Sequence, residues 1–169
     1  MRNIRLRLQY EGTRYQGWQK QTSTDNTIQG KMETLLTKMC GEPIEISASG
    51  RTDAGVHASL MVAHFDSDSP LDTVFMTDKL NRLLPPDISV YRLRAVKSDA
   101  HARFDATARM YKYYVTTAKS PFNRQYRCRL FQTPDFERMN EAAQTLFDYT
   151  DFTLSLIHIS EPTRQAEIS

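Results

Sequence analysis

Cysteine, glycine and proline are scarce in this sequence, and long apolar runs are missing. The 169 residues include 2 cysteines, 6 glycines and 7 prolines, which excludes a disulfide scaffold and a collagen-like or low-complexity chain. No stretch approaches the ~18 consecutive apolar residues of a membrane span. The charged, alternating N-terminal segment lacks the pattern of a secretory signal. Together these absences predict a soluble, cytoplasmic globular protein of one domain or slightly more, with no membrane partner.

The two cysteines lie far apart, and no histidine or cysteine accompanies either at the spacing of a zinc ligand. In a chain without an export signal, Cys40 and Cys128 are expected to be free, partly buried thiols. His57, His64 and His101 are scattered along the chain, which favours structural or substrate-contact roles for them. The sequence therefore predicts no metal site.

Hydrophobic periodicity predicts the element order β-α-β-β-α-β, followed by a further strand and helix. The predicted strands cover residues 4–10, 44–48, 60–65, 88–96 and 111–117, and the predicted helices cover 27–39, 72–84 and the region of 139–147. The first six elements match the ferredoxin-like, split βαβ pattern. We therefore expect an α+β fold with an antiparallel or mixed sheet and helices on one of its faces.

A polar segment rich in turn residues follows the first strand and predicts a long surface loop. Tyr15 and Trp18 are unusual residues for such a loop. They fit two interpretations equally well. Either they fold back as a lid on the core, or they form a stacking surface beside a cleft.

Positive charge is concentrated between Arg92 and Arg129, where only Asp99 and Asp105 oppose ten basic residues. These are Arg92, Arg94, Lys97, Arg103, Arg109, Lys112, Lys119, Arg124, Arg127 and Arg129. Tyr91 precedes them and six further aromatic residues are interleaved with them, as in surfaces that bind phosphates and stack on unpaired bases. The alternative is that many of the cations lie on ordinary solvated strand faces and that the aromatic side chains belong to the core.

The segment 48–57, ASGRTDAGVH, has the composition of a site. Gly50 and Gly55 bracket a turn that brings backbone close to a ligand. Asp53 between them is a candidate nucleophile or general base, and Arg51 is placed to keep it ionised or to contact a phosphate. The alternative is an Asx-turn, in which Asp53 bonds its own backbone and Arg51 forms a surface ion pair.

Several strings resemble motifs of the tRNA pseudouridine synthase A family, in the family's order. They are YEGTRYQGWQKQ at 10–21, TIQGKMETLL at 27–36, GRTDAGVHA at 50–58, NRLLPPDISV at 81–90 and HARFDATARMYKYYV at 101–115. The resemblance is collinear from about Arg2 to Thr153, and several of the motifs are long.

The resemblance implies the pseudouridine synthase fold and the isomerisation of uridine to pseudouridine in the anticodon stem-loop of tRNA. It implies no cofactor and no metal, and a homodimer that binds tRNA across both subunits. Asp53 takes the position of the catalytic nucleophile, Arg51 that of a residue orienting it and contacting RNA, and Tyr111 that of the tyrosine stacked on the target base. The basic segment containing Arg103, Arg109 and Lys112 would hold the tRNA backbone.

Residues 154–169 do not match the family and resemble a translated transposase-adapter sequence instead. We therefore expect an N-terminal α+β domain at 1–106, the truncated start of a second catalytic domain at 107–153, and a non-native tail at 154–169. A chain of this kind is expected to be an inactive fragment. The alternative function is a non-catalytic RNA-binding module, because the same element order also suits an RRM-like sheet.

Overall fold

The structure is a computed structural model that describes residues 2–150. Met1 and residues 151–169 lie outside the described part, and so does the predicted non-native tail. The chain divides after Ala106 into two compact units, the second of which begins at Thr107.

The first unit is a mixed α/β domain built on one four-stranded sheet. Its elements are β1 (Arg2–Tyr10), α1 (Ile28–Cys40), β2 (Ser47–Ala48), β3 (Ala58–Ser67), α2 (Thr73–Leu83) and β4 (Ile88–Ala95). The strand order is β2-β3-β1-β4, and all neighbouring strands are antiparallel. The α+β class predicted from the periodicity is confirmed, and the six elements follow in the predicted order.

Alternation along β1 separates the two faces of the sheet. Leu6 and Leu8 are buried, whereas Arg5 and Arg7 are exposed. Both helices cover the apolar face, because their buried side chains belong to one core with those of the strands. That core includes Ile28, Met32 and Leu36 of α1, Met76 and Leu80 of α2, and Leu6, Leu8, Ala63, Phe65, Val90 and Leu93 of the sheet.

Capping residues fix where the helices begin and end. Thr27 accepts a hydrogen bond from the Gly30 amide at the start of α1, and Gly41 ends that helix in the left-handed conformation with φ +73°. Asp72 accepts from two amides in the first turn of α2. Such caps satisfy amides that have no partner inside the helix. The predicted limits of these two helices therefore agree with the structure to within about one residue.

The predicted strand 44–48 is shorter in the structure, where only Ser47 and Ala48 pair with β3. The backbone at Ile46, just before β2, forms hydrogen bonds with side chains of α1 instead. The Ile46 amide donates to Glu33 Oε1 at 3.0 Å, and Gln29 Nε2 donates to the Ile46 carbonyl at 3.2 Å. These bonds replace sheet pairing at the edge of the domain.

Two β-bulges flank the central strand. Between Arg7 and Leu8 the register with β4 skips Tyr91, so that Tyr91 and Arg92 are both exposed while Val90 is buried. A second irregularity lies opposite Leu8–Tyr10, where β3 contains an additional residue between Ala58 and Met61. Bulges of this kind redirect side chains without ending the sheet.

The second unit is described from Thr107 to Thr150. A short β5 (Val115–Thr116) pairs in parallel with β6 (Cys128–Arg129), and α3 (Phe136–Gln144) follows. No residue from 107 to 150 is buried. Of the predicted strand 111–117 only two residues form a strand, because β propensity depends on a surface to pack against.

Within residues 2–150, no helix is long and apolar enough to cross a membrane. Cys40 is half-buried and Cys128 is exposed, and both are free thiols. The predicted partial burial therefore holds for Cys40 and is wrong for Cys128.

Candidate active site

The loop 49–57, called the Asp53 loop below, joins the antiparallel neighbours β2 and β3 and so lies at an end of the sheet. The Ser49 amide donates to the Val62 carbonyl at 2.8 Å, which continues the strand pairing into the loop. Beyond this point the chain leaves the sheet. Arg51 and Asp53 are both exposed, so the carboxylate is presented to solvent.

A turn shapes the tip of this loop. The Val56 amide donates to the Asp53 carbonyl at 3.2 Å, and Gly55 takes φ +79°, a conformation that favours glycine. Among residues 2–150, the Asp53 side chain makes no hydrogen bond and lies in no ion pair with Arg51. Neither the Asx-turn nor the Arg51 contact is therefore present, and the role of Arg51 in orienting Asp53 stays a prediction.

The loop that follows β1, residues 11–27, contacts the Asp53 loop and is called the bracing loop below. The Trp18 amide donates to the Thr52 carbonyl at 2.9 Å, and the Tyr10 and Thr52 hydroxyls lie 2.8 Å apart. The Gly55 amide donates to the Tyr15 carbonyl at 3.3 Å. Tyr15 and Trp18 are buried in the core, so of the two interpretations the lid is correct and the stacking surface is wrong.

Two glycines permit the close approach of these loops. A Cβ on Gly12 would lie 2.0 Å from the Val56 carbonyl oxygen, and a Cβ on Gly17 would lie 2.7 Å from the Thr52 carbonyl oxygen. Gly17 also has φ +88°. Any larger residue at either position would push the bracing loop away from the Asp53 loop. The Gly12 amide further donates to His57 Nδ1 at 3.0 Å, which ties the two loops together.

Asp87, just before β4, anchors the bracing loop to the sheet. Its carboxylate accepts from the Tyr15 hydroxyl at 2.6 Å and from Arg14 Nε at 3.0 Å, and its carbonyl accepts from the Glu11 amide at 2.8 Å. Desolvation alone would raise the pKa of Asp87, but the bonds from Tyr15 and Arg14 outweigh it and lower that pKa. Burial, together with the bond to Asp87, raises the pKa of Tyr15. Asp87 therefore stays ionised.

Arg103 lies at the opposite end of the same sheet. The neighbouring Ala102 amide donates to His64 Nδ1 at 3.1 Å, and the His64 and His101 rings meet edge-on at 4.6 Å. Burial lowers the pKa of His64, and the charge of the nearby His101 lowers it further. His64 lies six positions after Ala58, where the Asp53 loop rejoins the sheet, and this is about 20 Å of strand. The two motifs are therefore anchored at different ends of the sheet.

Arg109, Tyr111 and Lys112 belong to the second unit and precede β5. Tyr111 and Lys112 are exposed, and Arg109 is half-buried. The alternative interpretation of Tyr111 as part of a core pair with Tyr113 or Tyr114 is wrong, because all three rings are exposed. The stacking role of Tyr111 stays a prediction.

Sequence reasoning identified the Asp53 loop but missed the residues that hold it. The tight contacts of Gly12 and Gly17 and the anchor at Asp87 join positions up to 73 residues apart. The available signal was the pair of glycines around Tyr15 in a loop that otherwise resembles a flexible linker.

The class of protein follows from the family whose model matches this domain. Residues 8–105, which include the end of β1, the strands β2, β3 and β4 and the Asp53 loop, match the model described as tRNA pseudouridine synthase. The match covers more than half of the chain, and this chain belongs to the tRNA pseudouridine synthase family.

Curated relatives carry the name tRNA pseudouridine synthase A. A protein of Bacteroides thetaiotaomicron is 59% identical over 170 residues, which cover 100% of this chain and 63% of the relative. A protein of Bacteroides fragilis is 56% identical over 163 residues, 95% of this chain and 64% of the relative. A protein of Parabacteroides distasonis is 50% identical over 170 residues, 99% of this chain and 67% of the relative. The chain thus spans a little under two thirds of the first two relatives.

Proposed function

We propose that the protein isomerises uridine to pseudouridine in tRNA, within the anticodon stem-loop, and that Asp53 is the nucleophile. The observation that carries the proposal is the solvent-facing Asp53 carboxylate on a loop whose backbone is hydrogen-bonded to the bracing loop, which Asp87 anchors in turn. A nucleophile must be positioned before its substrate arrives, because precise placement supplies much of the rate enhancement. Residues 8–105 of the family match include the whole of this arrangement.

The exposure of Asp53 suits a substrate that arrives from outside the fold. A uridine in a paired stem must leave the stack before its ribose carbon is accessible. A carboxylate oxygen of Asp53 then attacks C1′, and the electron pair of the glycosidic bond leaves on N1. The base turns, C5 attacks C1′ and the bond to Asp53 breaks. C5 loses one proton and N1 gains one, so the product is an isomer and the reaction consumes no co-reactant.

Other residues are proposed to bind the RNA rather than to react. Arg51, two residues before Asp53 and exposed, would contact a phosphate next to the target nucleotide. Tyr111 is exposed and offers a ring for stacking on the extruded base. Arg103, Arg109 and Lys112 would hold the tRNA backbone. Homodimerisation and a cytoplasmic location stay predictions.

The test compares Asp53→Asn with Asp78→Asn, a matched change at an exposed aspartate of α2. The whole chain is assayed alone, and residues 1–153 are assayed after joining to the part of the Bacteroides thetaiotaomicron relative that follows the residue aligned with Thr153. Both assays use unmodified tRNA and count the pseudouridine formed. In the joined protein, Asp53→Asn is expected to reduce turnover on the order of 10⁶-fold, as for loss of a nucleophile, and Asp78→Asn to leave it unchanged. The 169-residue chain alone is expected to show little or no turnover.

Two results would contradict the proposal. If the joined Asp53→Asn protein kept its turnover, Asp53 would not be the nucleophile. If the joined parent protein bound tRNA and formed no pseudouridine, the function would be RNA binding alone.

A further inference from the structure

The face of the sheet that the helices leave uncovered carries four arginines in two facing pairs. Arg5 of β1 lies opposite Arg94 of β4, and Arg7 lies opposite Arg92. All four side chains are exposed. The two pairs are two residues apart along β1, or about 7 Å. We refer to Arg5, Arg7, Arg92 and Arg94 as the arginine face.

This arrangement opposes folding rather than assisting it. Like charges placed directly opposite each other destabilise an antiparallel pair. Among residues 2–150, no carboxylate lies within 4 Å of any of these four guanidinium groups. Asp66 on the neighbouring strand lies two register pairs from Arg5, opposite Asn3 and diagonally across from Arg5. The charge is therefore not neutralised within the described domain, which points to a ligand that neutralises it.

The two β-bulges shape a depression at one end of the arginine face. It is shallow and open to solvent, with a volume of about 440 Å³. Its lining residues are Arg7, Ser59, Leu60, Tyr91 and Arg92. Tyr91 is held there by a hydrogen bond from its hydroxyl to Gln9 Oε1. Ser59 and Leu60 follow closely on the Asp53 loop, so the depression lies at the same end of the sheet as Asp53.

The chemistry of this face fits phosphates and does not fit stacked bases. Arginine forks bind phosphate oxygens through two parallel hydrogen bonds. Sheets that read single-stranded RNA instead place aromatic rings on their central strands. On the central strands here, this face holds Asn3, Arg5, Arg7 and Gln9 of β1 and Val62, His64 and Asp66 of β3. The His64 ring already contacts His101 and the Ala102 amide.

We propose that the arginine face binds the sugar-phosphate backbone of tRNA, away from the nucleotide that meets Asp53. This proposal rests on the proposed function for the identity of the RNA. The RNA would run from the depression beside the Asp53 loop along β1 towards His64. Its phosphates would relieve the repulsion between the paired arginines, so the affinity for RNA would be higher than the phosphate contacts alone provide.

The experiment measures the affinity of the 169-residue chain for a tRNA transcript at several salt concentrations. The variant R5Q/R7Q/R92Q/R94Q is compared with K38Q/R82Q, in which two exposed cations on the helical layer are neutralised. Each lost phosphate contact lowers the slope of log K against log salt by roughly 0.7–0.9. The quadruple variant is therefore expected to lose about 3 in slope, and the helix-side variant to keep its slope.

A charge-retaining variant separates charge from packing. R5K/R7K/R92K/R94K is expected to keep the salt slope, because lysines also displace counterions from phosphates. The glutamine variant removes like-charge repulsion, so its thermal midpoint is expected to be no lower than that of the parent. A slope that stays unchanged in the glutamine variant, or falls equally in K38Q/R82Q, would overturn the proposal. So would loss of binding to anionic phospholipid vesicles without any loss of tRNA binding.

Asp53→Asn distinguishes this proposal from the proposed function. The variant is expected to bind tRNA with the parent's slope while abolishing turnover in the joined protein. If turnover depends on Asp53 but the slope does not depend on the arginines, only the arginine face is wrong. If the slope depends on the arginines but turnover does not depend on Asp53, the RNA surface stands and the catalytic assignment fails.

Discussion

The two units of the chain differ in how their secondary structure is supported. In the first unit, helices and sheet enclose a continuous core, and Leu8, Ile28 and Leu80 are completely buried. In residues 107–150, a helix, two 3₁₀ turns and a pair of two-residue strands form without burying a single side chain. Capping residues are present in both units, since Asp72 and Asp135 each cap a helix.

The difference teaches that local signals specify an element but do not stabilise it. A cap contributes about 1 kcal/mol, whereas each buried aliphatic side chain contributes roughly 1.5–3 kcal/mol. The first unit is therefore expected to unfold cooperatively, and the described part of the second to open at little cost. The single tryptophan, Trp18, is buried in the first unit and reports on that unit alone.

The largest expected effect comes from the same substitution made in each unit. Phe65 of β3 is 1% exposed and Phe122 is 78% exposed. Phe65→Ala is expected to lower the free energy of unfolding by roughly 3–5 kcal/mol, and Phe122→Ala by less than about 0.5 kcal/mol. Urea unfolding followed by Trp18 fluorescence measures the first effect, and far-UV circular dichroism measures both. Equal losses would show that the second unit has a core of its own.

The second prediction asks whether tight packing in the first unit extends to its loops. Gly17 and Gly41 both have positive φ, but only Gly17 has backbone atoms where a Cβ would lie. Gly41→Ala is expected to cost about 1 kcal/mol for the left-handed conformation, and Gly17→Ala about 1–3 kcal/mol more for overpacking. Urea unfolding of both variants measures the difference. Equal losses of unfolding free energy would mean that the bracing loop moves away from the added methyl group at no energetic cost.

The smallest effect compares the two aspartate caps. Asp72→Ala is expected to lower the free energy of unfolding of the first unit by about 1 kcal/mol, because α2 packs into the core. Asp135→Ala is expected to leave the Trp18 transition unchanged and to speed hydrogen exchange only at the amides of α3. A shift of the Trp18 transition in Asp135→Ala would break the comparison, since it would couple α3 to the stability of the first unit.

The sequence predicted the helices and the central strands well, because their signals are local. Thr27, Gly41 and Asp72 mark helix ends, and alternation marks β1. It overestimated the strand at 44–48, since the bonds that Glu33 and Gln29 form with Ile46 depend on how α1 packs. The strand at 111–117 was overestimated for a related reason, because propensity without a packing surface does not determine a strand.

For the candidate site, sequence alone identified Asp53 and its glycine-bounded turn. It did not reveal that Asp87 anchors the bracing loop through Tyr15 and Arg14, since these contacts span 72 and 73 residues. Nor did it reveal the arginine face. Arg5 and Arg7 are predicted to face solvent, but their pairing with Arg94 and Arg92 depends on strand register.

The bulge at Tyr91 has a consequence for how this family member can change over time. Side chains alternate between the two faces of a strand, but the bulge places Tyr91 and Arg92 on the same face of β4. Loss of Tyr91 would therefore leave a regular alternation, with Val90 and Leu93 still facing the core and Arg92 and Arg94 still facing solvent. Loss of a residue elsewhere in the strand would turn the residues beyond it to the opposite face. Natural variation in the length of β4 is therefore expected at the bulge and not at other positions of the strand.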